Sequence, residues 1–146
     1  MNALVIYDSL FGNTRLVAEA VAKEIGGKAI SVKDFSVDML SDLSILVVGC
    51  PIHAWNPSQP TNRFLASLPA DSLQGMRVAA FDTRIRSFLS GDASGKVLKR
   101  LINLGGKSAA HPEKFIVTGR EGPLAVGEMD RAKNWAREMA EGIDLL

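Results

Sequence analysis

The 146-residue chain has a single cysteine, Cys50. This excludes an intrachain disulfide and any cluster built on several thiolates, and it suits a reducing compartment. There is no strong charge of either sign. Net charge is +1 at pH 7 and the lysines and arginines are scattered, which leaves no basic stripe for nucleic acid and no polybasic anchor for a membrane. No apolar run approaches the roughly 18 residues that a membrane span needs, and the chain enters a strand-like segment directly, without the charged region and apolar core of a secretory signal. A cytoplasmic location is therefore expected. Repeats, low-complexity tracts and linkers are also missing. With 47% hydrophobic and 23% charged residues, one domain over residues 1–146 with a substantial core is expected.

What is present is an alternation of two patterns. Nearly continuous apolar runs at residues 3–9, 44–50, 77–83 and 114–119 have the character of strands covered on both faces, as in a parallel sheet. A weaker alternating run at residues 28–35 reads as an edge strand. Between them, helical spacing places Val17, Ala20, Val21 and Ile25 on one face of a helix over 13–25, stopped by Gly26-Gly27. Further helices are predicted over 60–68 with Pro60 in the first turn, over 93–104, and over 128–141 with Met129, Ala132, Trp135, Ala136 and Met139 as the buried stripe. Residues 36–42 are too short for a helix. Strands alternating with helices imply right-handed crossovers and an α/β three-layer sandwich, a doubly wound five-stranded parallel sheet in the order 2-1-3-4-5.

In such sheets ligands bind beyond the C-terminal strand ends, where strand order reverses, here between the first and third strands. Segments 9–14, 50–58 and 82–92 should surround that point. The first, within "YDSLFGNTR", couples a strand end to a helix N-terminus through Gly12, flanked by Ser9 and Thr14. Exposed helical N–H groups, two hydroxyls and a close-approaching backbone suit a phosphate; an ordinary strand-to-helix turn, with Thr14 bonding locally, is the other reading. Neither G-x-x-x-x-G-K-[ST] nor G-x-G-x-x-G occurs.

The run "YDSLFGNTRLVAEAVA" resembles the phosphate loop and first helix of the flavodoxin family, whose pattern is [ST]-x-[ST]-G-x-T, and "LSILVVGCPIHAWNPSQP" is similar to its third strand and flavin loop. The length, without an extra insertion, resembles short-chain flavodoxins. The resemblance implies that Ser9, Gly12, Asn13 and Thr14, with the amides of Leu10 and Phe11, hold the phosphate of FMN. Phe11 stands where the family usually has a hydroxyl, which removes one donor. The resemblance likewise implies that Pro51, Ile52, His53, Ala54, Trp55 and Asn56 form the flavin loop, with Trp55 stacked on the ring; alternatively Trp55 covers the loop's own apolar base. His53 could act as a proton donor or charge switch near the ring, or simply bond within the loop. Asn56 tolerates positive φ and could permit a peptide reorientation at the flavin. Cys50 reads as a packing residue, Trp135 as core and His111 as surface.

The third loop, "FDTRIRSFLSGDASG", contributes Asp82, Thr83, Arg84 and Arg86, with Phe88 the only aromatic beyond Phe81. In electron-carrier flavodoxins the corresponding loop is acidic and usually presents a tyrosine, so the charge sign is reversed here. Either the arginines face solvent or pair with Asp82 and Asp92, or one lies near flavin N1 and O2, or they receive an anionic substrate. Arg120 and Glu121 follow the last strand, as peripheral contacts or as part of a turn at Gly122-Pro123.

The resemblance implies an FMN-binding electron carrier served by a redox partner protein or a reductase. An FMN-dependent NAD(P)H:quinone-type reductase and a scaffold that binds cofactor weakly are the alternatives. A receiver-type signalling module fails because Gly49-Cys50 stand where its aspartate must be, and a low-molecular-weight phosphatase fails because the first loop has no cysteine.

Overall fold

Three of the four continuous apolar runs become strands buried on both faces; the fourth, over 114–119, lies at the sheet margin with Phe115 and Val117 buried and the residues between them partly exposed. A computed structural model describes residues 2–53, 56–86 and 91–144. β1 (Ala3–Tyr7) leads into α1 (Asn13–Ile25), whose bounds are those its periodicity predicts. Gly26 ends the helix in the left-handed region at φ 73°, where a side chain would be strained. β2 (Lys28–Ser31) is shorter than its alternating run, because the Ser31 hydroxyl accepts the Lys33 amide and winds Val32–Asp34 into a 3₁₀ turn. A second such turn occupies Val37–Leu40.

β3 (Ile45–His53) continues past Cys50, through Pro51, and folds back antiparallel on β4 (Asn56–Pro57). Then follow α2 (Gln59–Ser67), β5 (Arg77–Ile85), α3 (Ala93–Asn103), β6 (Lys107–Ser108), β7 (Glu113–Val117) and α4 (Glu128–Asp144). The sheet runs β2-β1-β3-β5, and both β6 and β7 lie along the outer side of β5. β6 pairs with Arg77 and Val78, while β7 pairs with residues 81–85. The predicted order 2-1-3-4-5 is thus the observed one, with the fifth position split into two parallel pieces.

Strand alternation divides the core. Leu4, Ile6, Val48 and Val78 point to the side covered by α2 and α3; Val5, Val47, Ala79 and Phe81 point to the side covered by α1 and α4. On the second side Phe81, Phe115 and Trp135 meet edge to face with centroids 5.8 to 6.1 Å apart. Gly49 makes room for this cluster, since a Cβ there would stand 2.0 Å from the Phe81 ring. Trp135 is core, as expected, and its Nε1–H donates to the His111 carbonyl at 3.0 Å.

Candidate functional site

The strands end at different heights, and this creates a notch. β1 stops at Tyr7, level with Gly49, whereas β3 rises to His53 and β5 to Ile85. The β1–α1 loop lies beside these taller strands and closes a cleft of about 510 Å³, a size typical of small-molecule sites. Ser9, Leu10, Phe11, Asn13 and Thr14 form its floor and one wall. Pro51, Ile52 and His53 come from β3, Thr83 and Ile85 from β5. Val117 and Arg120, at and after the end of β7, complete it.

The loop is held from within. Gly12 adopts φ 94°, which lets the chain turn sharply into α1. The Ser9 hydroxyl accepts the amides of Gly12 at 3.1 Å and Arg15 at 3.3 Å. Thr14 and Thr83 share a buried hydroxyl bond of 2.8 Å that ties the first turn of α1 to β5. Asp8, at the strand end, accepts the Ser58 hydroxyl at 2.6 Å, and Ser58 in turn bonds Thr61 at 2.8 Å. Among the described residues no protein acceptor takes the amides of Leu10, Phe11, Asn13 and Thr14. These donors gather at the positive end of the α1 dipole, a donor set that fits a phosphate. Toward the strand ends the walls are apolar, through Pro51, Ile52, Ile85 and Val117, which fits a planar ring system.

Not every predicted residue reaches the cleft. Thr83 faces it, but the neighbouring Asp82 and Arg84 alternate to the other side of β5, where both are buried. Asp82 accepts from Arg84 and from the Ser94 amide at 2.8 Å, and Arg84 also donates to the Gly91 carbonyl at 2.5 Å. Arg86 is exposed just beyond β5. Asn56 lies in β4, exposed, and its side-chain carbonyl accepts from Lys96 at 2.8 Å. Ala54, Trp55 and Phe88 lie outside the described residues. Cys50 is fully buried beneath the site, and that burial pushes its thiol up to about 12. Among the described residues no group of three or more His, Cys, Asp or Glu could hold a metal, and no helix is long and apolar enough to cross a membrane.

Ile85 and Val117 were not among the predicted cofactor contacts, and Arg120, read either as a peripheral contact or as part of a turn, lines the cleft itself. Counting alternation upward from buried Phe81 would have found Ile85, because it shares a face with Thr83. Arg120 carries no local signal beyond its place after the last strand. It is reached through the loop that follows β7. Here the Thr118 amide and hydroxyl both donate to the Pro123 carbonyl, and the Asn13 side-chain amide donates to the Glu121 carbonyl at 3.1 Å.

Comparison with known proteins agrees with this architecture. A family model described as a flavodoxin domain matches residues 4–122. The flavodoxin of Synechocystis sp. is 26% identical over 92% of this chain and 94% of its own. Among solved structures, a flavodoxin from the domain Archaea superposes with a TM-score of 0.78 at 23% identity, covering 99% of both chains. Oxidised flavodoxin 1 from Bacillus cereus does so with a TM-score of 0.81 at 16% identity, covering 97% of this chain and 98% of its own. With the family model spanning most of the sequence and the fold matching throughout, the chain belongs to the flavodoxin family, whose cofactor is FMN.

Proposed function

We propose that this chain is a single-domain, cytoplasmic electron carrier that holds FMN in the cleft above β1 and exchanges electrons with a redox partner protein or reductase. The observation that carries the reading is the polarity of the cleft. Unpaired amides of Leu10, Phe11, Asn13 and Thr14 stand at one end, and Pro51, Ile52, Ile85 and Val117 give apolar walls at the other.

When bound, FMN supplies reversible one- and two-electron chemistry. The chain's own residues bind and shield it. The loop amides meet the phosphate without rearranging, because Ser9 and the Thr14–Thr83 bond fix their directions. The β3 and β5 ends exclude water from the ring, while exposed His53 leaves the rim open to a partner. Trp55, which follows His53 in sequence, is the aromatic proposed to lie against the flavin. The reductase reading has less support: Asp82 neutralises Arg84, which leaves Arg86 as the remaining arginine of the third segment for an anionic substrate.

Titration with FMN, followed by flavin fluorescence and melting temperature, is expected to show one site per chain and a raised melting temperature. Under anaerobic conditions NADH and NADPH should bleach the loaded flavin only when a separate reductase is added. Absence of any FMN effect would overturn the cofactor assignment, and direct bleaching would replace the carrier with a reductase.

A further inference from the structure

The loop that meets the phosphate offers only neutral donors. Its nearest cation in sequence, Arg15, is held by Glu19 through a 2.7 Å ion pair on the outer face of α1. The nearest anion, Asp8, is turned toward Ser58. Of the lysines and arginines among the described residues, Arg120 alone lines the cleft. Its guanidinium carbon sits 5.9 Å from the Phe11 ring centroid, and among the described residues no carboxylate pairs with it. The segment that carries Arg120 is fastened to the phosphate loop. Asn13 bonds the Glu121 carbonyl, and Gly122, at φ 99°, packs so close that a Cβ would come within 2.5 Å of the Asn13 side chain.

From this geometry we infer that Arg120 is the counter-charge for the ligand's phosphate, held at the cleft by the face of Phe11. The inference rests on the FMN reading above and deepens it. A phosphate monoester carries close to two negative charges at pH 7, and a guanidinium provides paired donors and charge that backbone amides lack. Phe11 then has a purpose of its own. A ring at this position holds an exposed arginine over the loop through cation–π attraction, where a hydroxyl would only add one more neutral donor. Arg120 binds the phosphate, and Phe11 positions Arg120.

Riboflavin, which is FMN without its phosphate, separates this role from general packing. Dissociation constants for FMN and riboflavin are to be measured by fluorescence quenching on the full chain and on Arg120→Ala and Arg120→Lys, at low and high salt. Arg120→Ala should weaken FMN by roughly tenfold or more and riboflavin by less than about twofold, with Arg120→Lys between. The salt dependence of FMN binding should also flatten in Arg120→Ala. Equal losses for both ligands, or no loss for FMN, would overturn the inference while leaving the FMN site in place. A parent protein that binds neither flavin would overturn the FMN reading itself. Arg120 is exposed, so an unchanged melting temperature of the flavin-free variant is expected to accompany these results.

Discussion

Arg84 and Asp82, two residues apart on one face of β5, form a buried bidentate ion pair with contacts of 2.8 and 2.5 Å. A charge pair this deep depends on both members, because a lone buried charge has neither water nor partner. Asp82→Asn is expected to destabilise the fold by about 3–5 kcal/mol, and the double replacement Asp82→Leu/Arg84→Met by distinctly less. Urea unfolding of the set checks this. A double variant as unstable as Asp82→Asn, or more so, would show that the loss does not come from an uncompensated buried charge.

Thr14 and Thr83 form a second buried link, between the cofactor loop and the sheet. Thr83→Val keeps the shape but removes the partner of the Thr14 hydroxyl, at an expected cost of about 1 kcal/mol. A double-mutant cycle with Thr14→Val should return a coupling of similar size. Zero coupling would mean that water replaces the bond without loss.

Cys50 sets an alkaline limit. Its thiol ionises near 9.0 when free but only near 12 in the folded chain, because burial disfavours the thiolate, with Asp82 adding to the effect. Between these values the unfolded chain has lost a proton that the folded chain keeps, so stability falls as pH rises, by up to about 1.4 kcal/mol per pH unit from this group. Cys50→Ala should flatten that decline between pH 9 and 12. In the native protein the thiol should also resist aromatic disulfide reagents at pH 8 and react only on unfolding.

Glu128 sets an acid limit on the other side of the molecule. Hydrogen bonds from Arg131, and from the Ile116 amide at 2.7 Å, hold its carboxyl below the usual carboxylate range despite the opposing effect of burial. The unfolded chain therefore takes up this proton first as pH falls. The stability it contributes is full above the ordinary value of 4.5 and is lost below it, down through the folded-state value. Glu128→Gln should cost roughly 1–3 kcal/mol at pH 7 and less at pH 3, as read from melting curves. An equal cost at both pH values would remove the carboxylate from the explanation.

Where the sequence was legible, a single period ran uninterrupted. α1 shows this best: apolar spacing and the Gly26 stop fix both of its ends. The apolar run over 44–50 ends before Pro51, which cannot donate in a sheet, yet the strand continues to His53 and Pro51 stands opposite Thr83. Reading residues 82–92 as a loop had a larger effect. The run over 77–83 stops short of Arg84, and a loop has no faces, so the alternation of Asp82, Thr83 and Arg84 does not appear in the sequence pattern. As β5 they alternate, with Thr83 in the cleft and the other two buried behind it. β6 could not be anticipated at all, because Lys107 and Ser108 follow a glycine pair and carry no apolar pattern. Arg120 depends on a contact between segments 108 residues apart, Asn13 with Glu121, which no local pattern encodes.

The division of the outermost strand into β6 and β7 has a consequence for how copies of this chain meet in solution. An unbroken edge strand exposes a row of unsatisfied amides and carbonyls on which another sheet can grow. Here one margin consists of a two-residue and a five-residue piece separated by a connection that contains Pro112. The opposite margin, β2, is four residues long, starts at an exposed lysine and bends away into a 3₁₀ turn. Both borders are too short and too uneven to template a neighbour, so a concentrated, transiently opened population has little means of sheet-to-sheet growth.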